Sequence, residues 1–528
     1  MSTLAPFAGI PLNEALLRHL IDHHERVRLP RFERLWRYFR NELAPPATDG
    51  QDRTPPAQRV GLPRRLQSTR RPGADDRTQR EVVIENDIGW RIHALVDFMF
   101  PAAPRLVSTA PDPARRREIE AMLERLIDAN GGVMLWQDAA LLGSVYGHVD
   151  LLIDADALFA IRPERAGEAR SSRGVDTNPS TRPTASPTTS PPRDRPGDAA
   201  PGLSARSRAL SPETLLHIEA VEAPRSIPLL SPHDYRALDA FIIHFEQPKH
   251  AVTQGSFLAR LLASRFVSRD VLRSQRATTT VTEIRSSTHR QRYEDGRLVE
   301  ETRNPLGRLP VVHIQNLSQP LAWEGLSDVE PLIPLQDELN TRLSDRANRV
   351  TMQSFRMWLG KGIEGFIDRP VGPGQMWMTD NENASIESFG GDADSPSERQ
   401  HIEDLREALD KASGVTPAAA GHIKAKVGNL TSENALRISL MGTIAKVKRK
   451  RITYGRGIAQ TCELALEALH RSGHFRTEAN ERGVEIAWPD PLPADETRRL
   501  QDALLKAQLG VPHETLRAEL GYGERGEA

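Results

Sequence analysis

Residues 325–345 read GLSDVEPLIPLQDELNTRLSD and are the most informative part of this chain. Pro334 suits the first turn of a helix, where its missing N–H costs nothing. The residues after it include an apolar series at spacings of three and four, which is the period of one helix face: Leu335, Leu339, Leu343, Ala347 and Val350. The opposite face carries two acid–base pairs four positions apart, Glu338–Arg342 and Asp345–Arg349. The sequence therefore predicts a helix over 334–354, about 20 residues long.

A second helix is predicted downstream of the first, over residues 395–413. Ser395, Pro396 and Glu398 form a capping box at its start, and one of its sides is apolar, with Ile402, Leu405, Leu409 and Ala412. Residues 355–391, between the two helices, are rich in glycine and in aromatic side chains. This composition predicts a small β-rich excursion that carries Trp358, Phe366, Trp377 and Phe389.

The C-terminal part of the chain is predicted to be mostly helical. A loop over 414–430 leads into a long helix over about 431–470. A strand over 484–488 and two shorter helices, over 494–509 and 513–520, complete the chain.

Helices also dominate the first 146 residues. Periodic apolar residues predict helices over 12–27 and 32–43, with Pro30 separating them. Residues 45–80 are rich in proline and arginine, so they are expected to form a poorly ordered arm or surface loop. Three further helices are predicted within 82–101, 114–130 and 133–146.

A β-rich region follows and is interrupted once. It begins over 151–159, resumes near residue 215, and continues in strand-like runs over 240–246, 278–286 and 309–314. Asp295-Gly296 is a hairpin signal. Residues 171–212 contain eight prolines and no aromatic residue, so they bury too little apolar area to offset their chain entropy and are expected to form a disordered insertion. The fold class is therefore α+β with several domains.

Composition excludes several classes of protein. The 528 residues carry 70 basic and 71 acidic side chains, a net charge of −1, which excludes a uniformly basic nucleic-acid coat. No apolar run reaches the length of a membrane helix, and the N-terminus lacks the pattern of a signal peptide. The single cysteine, Cys462, permits no intrachain disulfide and no cysteine-based zinc site. No membrane contact and no cofactor are expected.

The strongest charge asymmetry lies within residues 422–456. This segment holds one acidic residue, Glu433, and nine basic ones: Lys424, Lys426, Arg437, Lys446, Lys448, Arg449, Lys450, Arg451 and Arg456. Such a surface binds phosphates without reading sequence. It also suits an interface with acidic residues of a neighbouring subunit, and a charge run alone does not decide between the two.

Two motifs resemble ligand sites but lack the context that such sites need. Gly360, Gly362 and Gly365 match a dinucleotide loop, yet prolines follow where a helix is required, so a tight β-turn cluster is favoured. His19 and His23 are four positions apart on a helix but have no third ligand, which favours a solvated or interfacial helix face over a metal site.

The acidic residues Glu324, Asp328 and Glu330 allow two interpretations. In a nuclease, such carboxylates bind magnesium. The alternative, which we favour because no lysine or histidine motif accompanies them, is that Ser327 and Glu330 cap a helical turn. No nucleophile motif is present, and Cys462 lies inside an amphipathic helix, so no catalytic residue is predicted.

The order of these elements resembles that of tailed-bacteriophage portal proteins, the head-to-tail connectors of virions. The stretch at 325–345 is similar to the start of that family's first stem helix. The runs NPLGRLPVVHIQN at 304–316 and ENDIGWRIHALVDFMF at 85–100 resemble its preceding strand and an early wing helix. SGVTPAAAG and TSENALR, at 413–421 and 431–437, resemble the join between its second stem helix and its long helix.

The resemblance implies a portal-like organisation with an α+β wing, a two-helix stem, a small β-rich clip, a long helix and a helical C-terminal crown. The implied units are the N-terminal wing helices (1–44), a flexible arm or loop (45–81), the wing with its insertion (82–325), the first stem helix (326–354), the clip (355–394), the second stem helix (395–413), the tunnel loop (414–430), the long helix (431–473) and the C-terminal strand with crown helices (474–528).

The resemblance also implies a function without enzymatic activity. A homo-oligomeric ring, usually a dodecamer, would sit at one capsid vertex of the virion after assembly in the host cytoplasm, and double-stranded DNA would pass through it during packaging and ejection. The clip aromatics would dock the terminase and then the head–tail adaptor, and the major capsid or scaffolding protein would surround the ring.

Two sets of basic residues have implied roles in such a ring. The tunnel-loop residues His422, Lys424 and Lys426 would line the DNA channel. The second set would meet DNA or the next subunit: Arg437, Lys446, Lys448, Arg449, Lys450 and Arg451. The rival hypotheses are a magnesium-dependent nuclease and a monomeric nucleic-acid-binding scaffold.

Overall fold

The computed structural model describes most of the chain in ten ranges: 12–42, 83–160, 212–234, 236–248, 278–354, 357–362, 382–389, 396–421, 437–492 and 496–520. The helices within these ranges are α1 (Glu14–His23), α2 (Leu29–Arg40), α3 (Gly89–Met99), α4 (Pro113–Ala129), α5 (Val133–Tyr146), α6 (Asp156–Ala160), α7 (Pro212–Leu215), α8 (Ile333–Ser354), α9 (Pro396–Ser413), α10 (Met441–Ser472), α11 (Glu496–Gln508) and α12 (His513–Glu519). None of these described helices is long and apolar enough to cross a bilayer.

The described strands form antiparallel sheets only. They are β1 (Arg105–Ser108), β2 (His148–Asp154), β3 (His217–Glu222), β4 (Ser226–Leu230), β5 (Leu238–Pro248), β6 (Thr278–Ser286), β7 (His289–Glu294), β8 (Arg297–Arg303), β9 (Val311–Gln315), β10 (Met357–Lys361), β11 (Ser385–Phe389) and β12 (Val484–Ala487). Their orders are β4-β5-β6-β7-β8, β3-β2-β9, β1-β12 and β10-β11.

The largest core lies between the three-stranded sheet and the helices α3, α4, α5 and α10. The inner face of α10 is close to β9: a Cβ on Gly457 would lie 2.4 Å from the side chain of Ile314. Gly147, at the turn from α5 to β2, has a φ of +97°, and a Cβ there would lie 2.4 Å from the carbonyl oxygen of Gly325. Only glycine fits such positions, so the α10–sheet contact and the α5–β2 turn are fixed by the sequence.

A second core joins α8 and α9 to the N-terminal helix α2. Leu339 of α8 and Leu409 of α9 are fully buried together with Phe32 of α2. The end of α8 lies beside the start of α9, where Arg349 forms an ion pair with Glu398. The two helices are therefore antiparallel, and the strand pair β10-β11 lies between them in the chain.

Several sequence predictions agree with the structure. The predicted bounds of the helix 133–146 and the strand 278–286 are those of α5 and β6. Asp295 and Gly296 have φ values of +49° and +75°, as the predicted tight hairpin between β7 and β8 requires. The predicted mixture of helical and β-rich regions is thus confirmed.

The prediction that Pro30 separates two N-terminal helices is wrong. A π-helical turn, His24–Arg28, joins α1 directly to α2. Pro30 occupies the first turn of α2, where the absence of an N–H does no harm. The chain therefore continues in helical form past the proline.

The buried face of α8 is more polar than its sequence predicted. Val350 is 52% exposed, whereas Gln336, Asn340 and Ser344 are buried. These side chains accept hydrogen bonds from the backbone N–H groups of Asp87, Glu85 and Val83, over 3.2, 3.0 and 2.9 Å. Residues 83–87 lie along α8 in this way, so the helix predicted within 82–101 begins only at residue 89.

Other predictions concern residues outside the described ranges. They include the arm at 45–80, all but the last residue of the insertion at 171–212, and most of the clip and of the tunnel loop. Those assignments stay predictions.

Candidate functional site

A buried ionic cluster connects the segment before α8 to the inner face of α10. Asp328 Oδ1 lies 2.8 Å from Nζ of Lys446, and Asp328 Oδ2 lies 2.5 Å from Nζ of Lys450. Lys446 also donates to the backbone carbonyl of Ser413, at the end of α9, over 2.6 Å. The cluster therefore holds the start of α8, the end of α9 and the long helix at one point.

Polar side chains from α5, from the residue after β9 and from α10 surround this cluster. Lys450 Nζ donates to Ser144 Oγ on α5 over 2.7 Å, and Asn316 Nδ2 donates to Asp328 Oδ2 over 2.9 Å. The Tyr454 hydroxyl donates to the other side-chain atom of Asn316, Oδ1, over 3.2 Å. Buried charges are tolerated when they are paired and hydrogen-bonded in this way.

The protonation of the cluster follows from its burial and its charges. Burial alone would raise the pKa of Asp328, but the ammonium groups of Lys450 and Lys446 outweigh burial and hold that pKa far below its ordinary value. Burial lowers the pKa of Lys450 to about 8, against the opposing effect of Asp328. At neutral pH the cluster is therefore one carboxylate between two ammonium groups.

The acidic residues Glu324, Asp328 and Glu330 are separated by the structure. Arg28 Nε donates to Glu324 over 2.8 Å, and Arg31 bridges Glu324 and Glu330 with two contacts of 2.7 Å. Glu324 and Glu330 thus share Arg31, whereas Asp328 faces Lys446 and Lys450. Among the described residues no three His, Cys, Asp or Glu side chains are arranged to hold a metal ion.

The turn after Asp328 is capped by Ser327. Its hydroxyl oxygen accepts from the N–H groups of Val329 and Glu330 over 3.1 and 3.3 Å, at the start of the 3₁₀ turn Glu330–Leu332. This is the capping role that the sequence favoured for Ser327, and Glu330 turns outward to Arg31.

The predicted basic surface contains fewer residues than its sequence indicated. Lys446 and Lys450 are 8% and 0% exposed, and both face Asp328, so their prediction as surface residues is wrong. Helix periodicity explains the difference, because positions 446 and 450 fall on the face of α10 that packs towards α5 and the end of α9.

Two arginines of the predicted surface have partners within the chain. Arg437 donates to Asp490 over 2.9 Å. Arg451 donates to the carbonyl oxygens of Phe98 and Met99 over 3.0 and 3.1 Å, and its guanidinium lies 5.0 Å from the ring of Trp488.

The outer face of α10 keeps the remaining basic residues of this helix exposed. We define this outer face as Met441, Ala445, Lys448, Arg449, Ile452 and Arg456, all of which are exposed. Met441 and Ile452 are 67% and 66% exposed. A helix face that mixes bare apolar side chains with cations is typical of a surface that another macromolecule covers.

The predicted clip and tunnel-loop residues are described only in part. Trp358 lies in β10 and Phe389 in β11, where Met357 is opposite Phe389 and Trp358 is opposite Ser388. Phe366, Trp377, His422, Lys424 and Lys426 lie outside the described residues.

The remaining sequence candidates have ordinary surroundings. Gly362 has a φ of +68° just after β10, as a turn requires. His19 and His23 are exposed on α1, with ring centres 6.4 Å apart. Cys462 is buried in α10, and burial raises the pKa of its thiol to about 12, which makes it unreactive.

Sequence reasoning missed a second buried polar group, on the three-stranded sheet. His313 Nδ1 donates to Asp150 Oδ1 over 2.7 Å, and the His313 ring stacks on Trp323 at 3.7 Å. His148 is fully buried beside them, and burial lowers its pKa to about 4. Polar residues at alternate positions of an apolar strand, as in His148-Val149-Asp150, were the available signal.

Comparisons with known proteins identify relatives. The profile of the family described as "Phage portal protein, SPP1 Gp6-like" matches residues 210–522. A chain in the virion of a native gene transfer agent particle is 10% identical, with a TM-score of 0.41, over 82% of this chain and 88% of that chain. A chain in the neck of an empty gene transfer agent particle is 13% identical, with a TM-score of 0.44, over 83% and 90%. No curated protein matches the sequence.

Proposed function

The chain belongs to the SPP1 Gp6-like family of phage portal proteins, a structural and non-enzymatic family, and we propose on this premise that it forms a ring at one capsid vertex. Double-stranded DNA passes through the ring during packaging and ejection. The observation that carries this proposal is the extent of the family match, which includes both helices around the clip, the long helix and the C-terminal helices.

In this proposal α8 and α9 are the stem helices that surround the channel. Their apolar sides are used within one subunit, where Leu339, Ile402, Leu405 and Leu409 pack together with α2. The ionic cluster at Asp328 then fixes the stem to the long helix and the wing. Such a junction suits a conduit, because buried contacts within each subunit hold the stem helices in place around the channel.

The outer face of α10 is the part of the subunit that we assign to the neighbouring copy. The sequence left DNA and a neighbouring subunit as equal alternatives for the basic residues there. The exposure of Met441 and Ile452 favours the neighbouring subunit, because a protein surface can make apolar contacts with these side chains and a phosphate cannot. Lys448 and Arg449 would then meet acidic residues of the next copy.

Contacts with DNA are assigned to the tunnel loop, on the strength of the family resemblance. His422, Lys424 and Lys426 would touch phosphates weakly and without reading sequence, because a dense basic lining would hold a moving polyanion in place. The variant with Lys424→Glu and Lys426→Glu is expected to form intact rings but to package less DNA per capsid. Unchanged packaging in that variant would remove the loop from the mechanism.

The clip is assigned to docking. The strands β10 and β11, with Trp358 and Phe389, and the clip residues Phe366 and Trp377 would bind the terminase during packaging and the head–tail adaptor afterwards. The major capsid or scaffolding protein would contact the wing from outside. Assembly would take place in the host cytoplasm, and the finished ring would remain in the virion.

End-on electron microscopy of the purified full-length protein tests the proposal. We expect rings with a central hole wide enough for duplex DNA, and no cleavage when the same sample is incubated with DNA and magnesium. Solitary particles that cleave DNA in a magnesium-dependent way would support the nuclease instead. Solitary particles that bind DNA without cleavage would support the monomeric scaffold.

A further inference from the structure

Strand β9 has an open edge. Within the β2–β9 ladder, Asn316 N–H donates to the Gly147 carbonyl and Ile153 N–H donates to the Pro310 carbonyl, over 2.9 and 2.8 Å. Because backbone groups alternate along an antiparallel strand, the even-numbered residues of β9 face β2. The odd-numbered residues Val311, His313 and Gln315 therefore direct their N–H and C=O groups away from the sheet, where no described strand pairs with them.

A groove of about 1200 Å³ runs along this open edge. The groove is lined by Arg456, Gln460 and Glu463 of α10 and by the segment 318–323. Arg456 is exposed and has no ion partner among the described residues. Since Arg456 also belongs to the outer face of α10, the groove continues the surface that we assign to the neighbouring copy.

Strand β8, the last strand of the five-stranded sheet, provides a second open edge. All seven residues of β8 are exposed, including Leu298 at 49% and Val299 at 59%. Asn304 N–H donates to the Thr288 carbonyl over 2.8 Å, so the alternation leaves the backbone groups of Glu301 and Arg303 facing outward. An exposed strand of this length with bare apolar residues is a pairing hazard unless a partner covers it.

We propose that β8 of one copy adds as a strand to the open edge of β9 in the next copy. The proposal rests on the ring proposed above, since a ring built from head-to-tail contacts needs two different, complementary surfaces on each chain. These strands supply them: the edge of β9 lies in a groove, and every residue of β8 is exposed. Their charges also match, because Glu300 at the centre of β8 and Arg456 in the groove both lack an ion partner within the described chain.

A proline in β8 tests the backbone pairing. In Arg303→Pro the removed N–H faces outward, so the ladder with β7 keeps its hydrogen bonds, whereas a strand added from the next copy loses a donor and meets the proline ring. We expect at least about a tenfold smaller fraction of rings at equal protein concentration. Arg303→Ala keeps the N–H and removes the same side chain, so it is the matched control and is expected to form rings like the wild type.

Cross-linking between two variants that each carry one added cysteine tests the same contact without depending on proline. Ser318→Cys places a thiol on the groove wall, and Thr302→Cys places one on β8; both positions are exposed. The native Cys462 is buried, and burial raises its pKa to about 12, so it adds no background. With a short bis-maleimide we expect dimers from rings assembled from the mixed variants, and none from rings of either variant alone.

The outcomes separate this inference from the ring itself. The strand addition is overturned if the wild type forms rings while Arg303→Pro assembles normally and the mixed variants give no cross-link. The portal proposal would then still stand. A wild-type protein that never forms rings would overturn both.

Discussion

Arg449 and Lys450 are adjacent in the sequence, yet they lie on opposite faces of α10 and have opposite surroundings. Lys450 is fully buried and bound to Asp328, whereas Arg449 is exposed on the outer face. Since successive residues of a helix are about 100° apart, a run of cations wraps around α10. The total charge of the run therefore indicates neither how many cations reach the surface nor what they bind.

The two faces also differ in what they do for the molecule. The inner face connects α10 to α5, to the end of α9 and to the segment before α8, through the buried cluster at Asp328. The outer face combines apolar side chains with cations and contributes little to the stability of a single chain. Substitutions on the inner face should therefore change stability, and those on the outer face should change assembly.

The largest effect is expected for Lys450→Met. It removes one of the two ammonium groups that balance the buried Asp328, and breaking a buried pair costs about 3–5 kcal/mol. We expect a clearly lower midpoint of urea unfolding, followed by circular dichroism. Arg449→Met, one position away, is the control and should leave the midpoint unchanged. Equal midpoints for the two variants would show that the cluster does not stabilise the fold.

Lowering the pH should reduce the stability of the protein through a buried histidine but not through an exposed one. Burial lowers the pKa of His148 from 6.5 to about 4, so the unfolded chain binds this proton more readily. Stability from His148 is then complete above pH 6.5 and is lost as the pH falls towards 4, by up to about 3 kcal/mol.

The measurement is the pH dependence of the unfolding free energy over that window. His148→Gln should flatten the dependence, whereas His19→Gln, at an exposed position of α1, should retain the wild-type slope. A wild-type slope in both variants would contradict the assigned burial of His148.

A matched pair of glycines compares how tightly the two sides of α10 are packed. Gly457 faces Ile314 at a distance that leaves no room for a methyl group, whereas a Cβ on Gly455 would meet Trp488 at an ordinary 3.5 Å. We expect Gly457→Ala to lower stability by about 1–3 kcal/mol. Gly455→Ala should raise it by up to about 1 kcal/mol, because alanine favours the helix. Thermal unfolding of both variants gives the sign, and a stabilising Gly457→Ala would contradict the packing.

The smallest expected effect concerns the outer face. Ile452→Ser removes an apolar side chain from the proposed subunit contact, and we expect about tenfold weaker ring assembly, or about 1.4 kcal/mol for each contact. The stability of the single chain should not change. Val27 is similarly exposed, at 59%, but lies outside that face, so Val27→Ser should assemble normally. Sedimentation at several protein concentrations measures the difference.

The sequence predicted those parts of the fold that depend on local patterns. The bounds of α5, the hairpin at Asp295-Gly296 and the helices α8 and α9 follow from periodicity, capping and turn chemistry, which act over a few residues. The resemblance to portal proteins also came from the order of such local elements, and the family match over residues 210–522 confirms it.

The sequence could not predict contacts between distant parts of the chain. Asp328 and Lys450 are far apart in the sequence, so nothing local indicates that the one neutralises the other. The buried polar residues of α8 were missed for a similar reason. Gln336, Asn340 and Ser344 count as polar in any periodicity argument, but they are buried because the extended residues 83–87 supply their hydrogen-bond partners.

The mass of the purified full-length protein in solution tests the central claim most directly. A portal ring of the usual size predicts a particle near twelve times the chain mass of 58.8 kDa, stable on dilution. A particle of a single chain mass at every concentration, including in extracts of the cells that assemble the virion, would contradict the account.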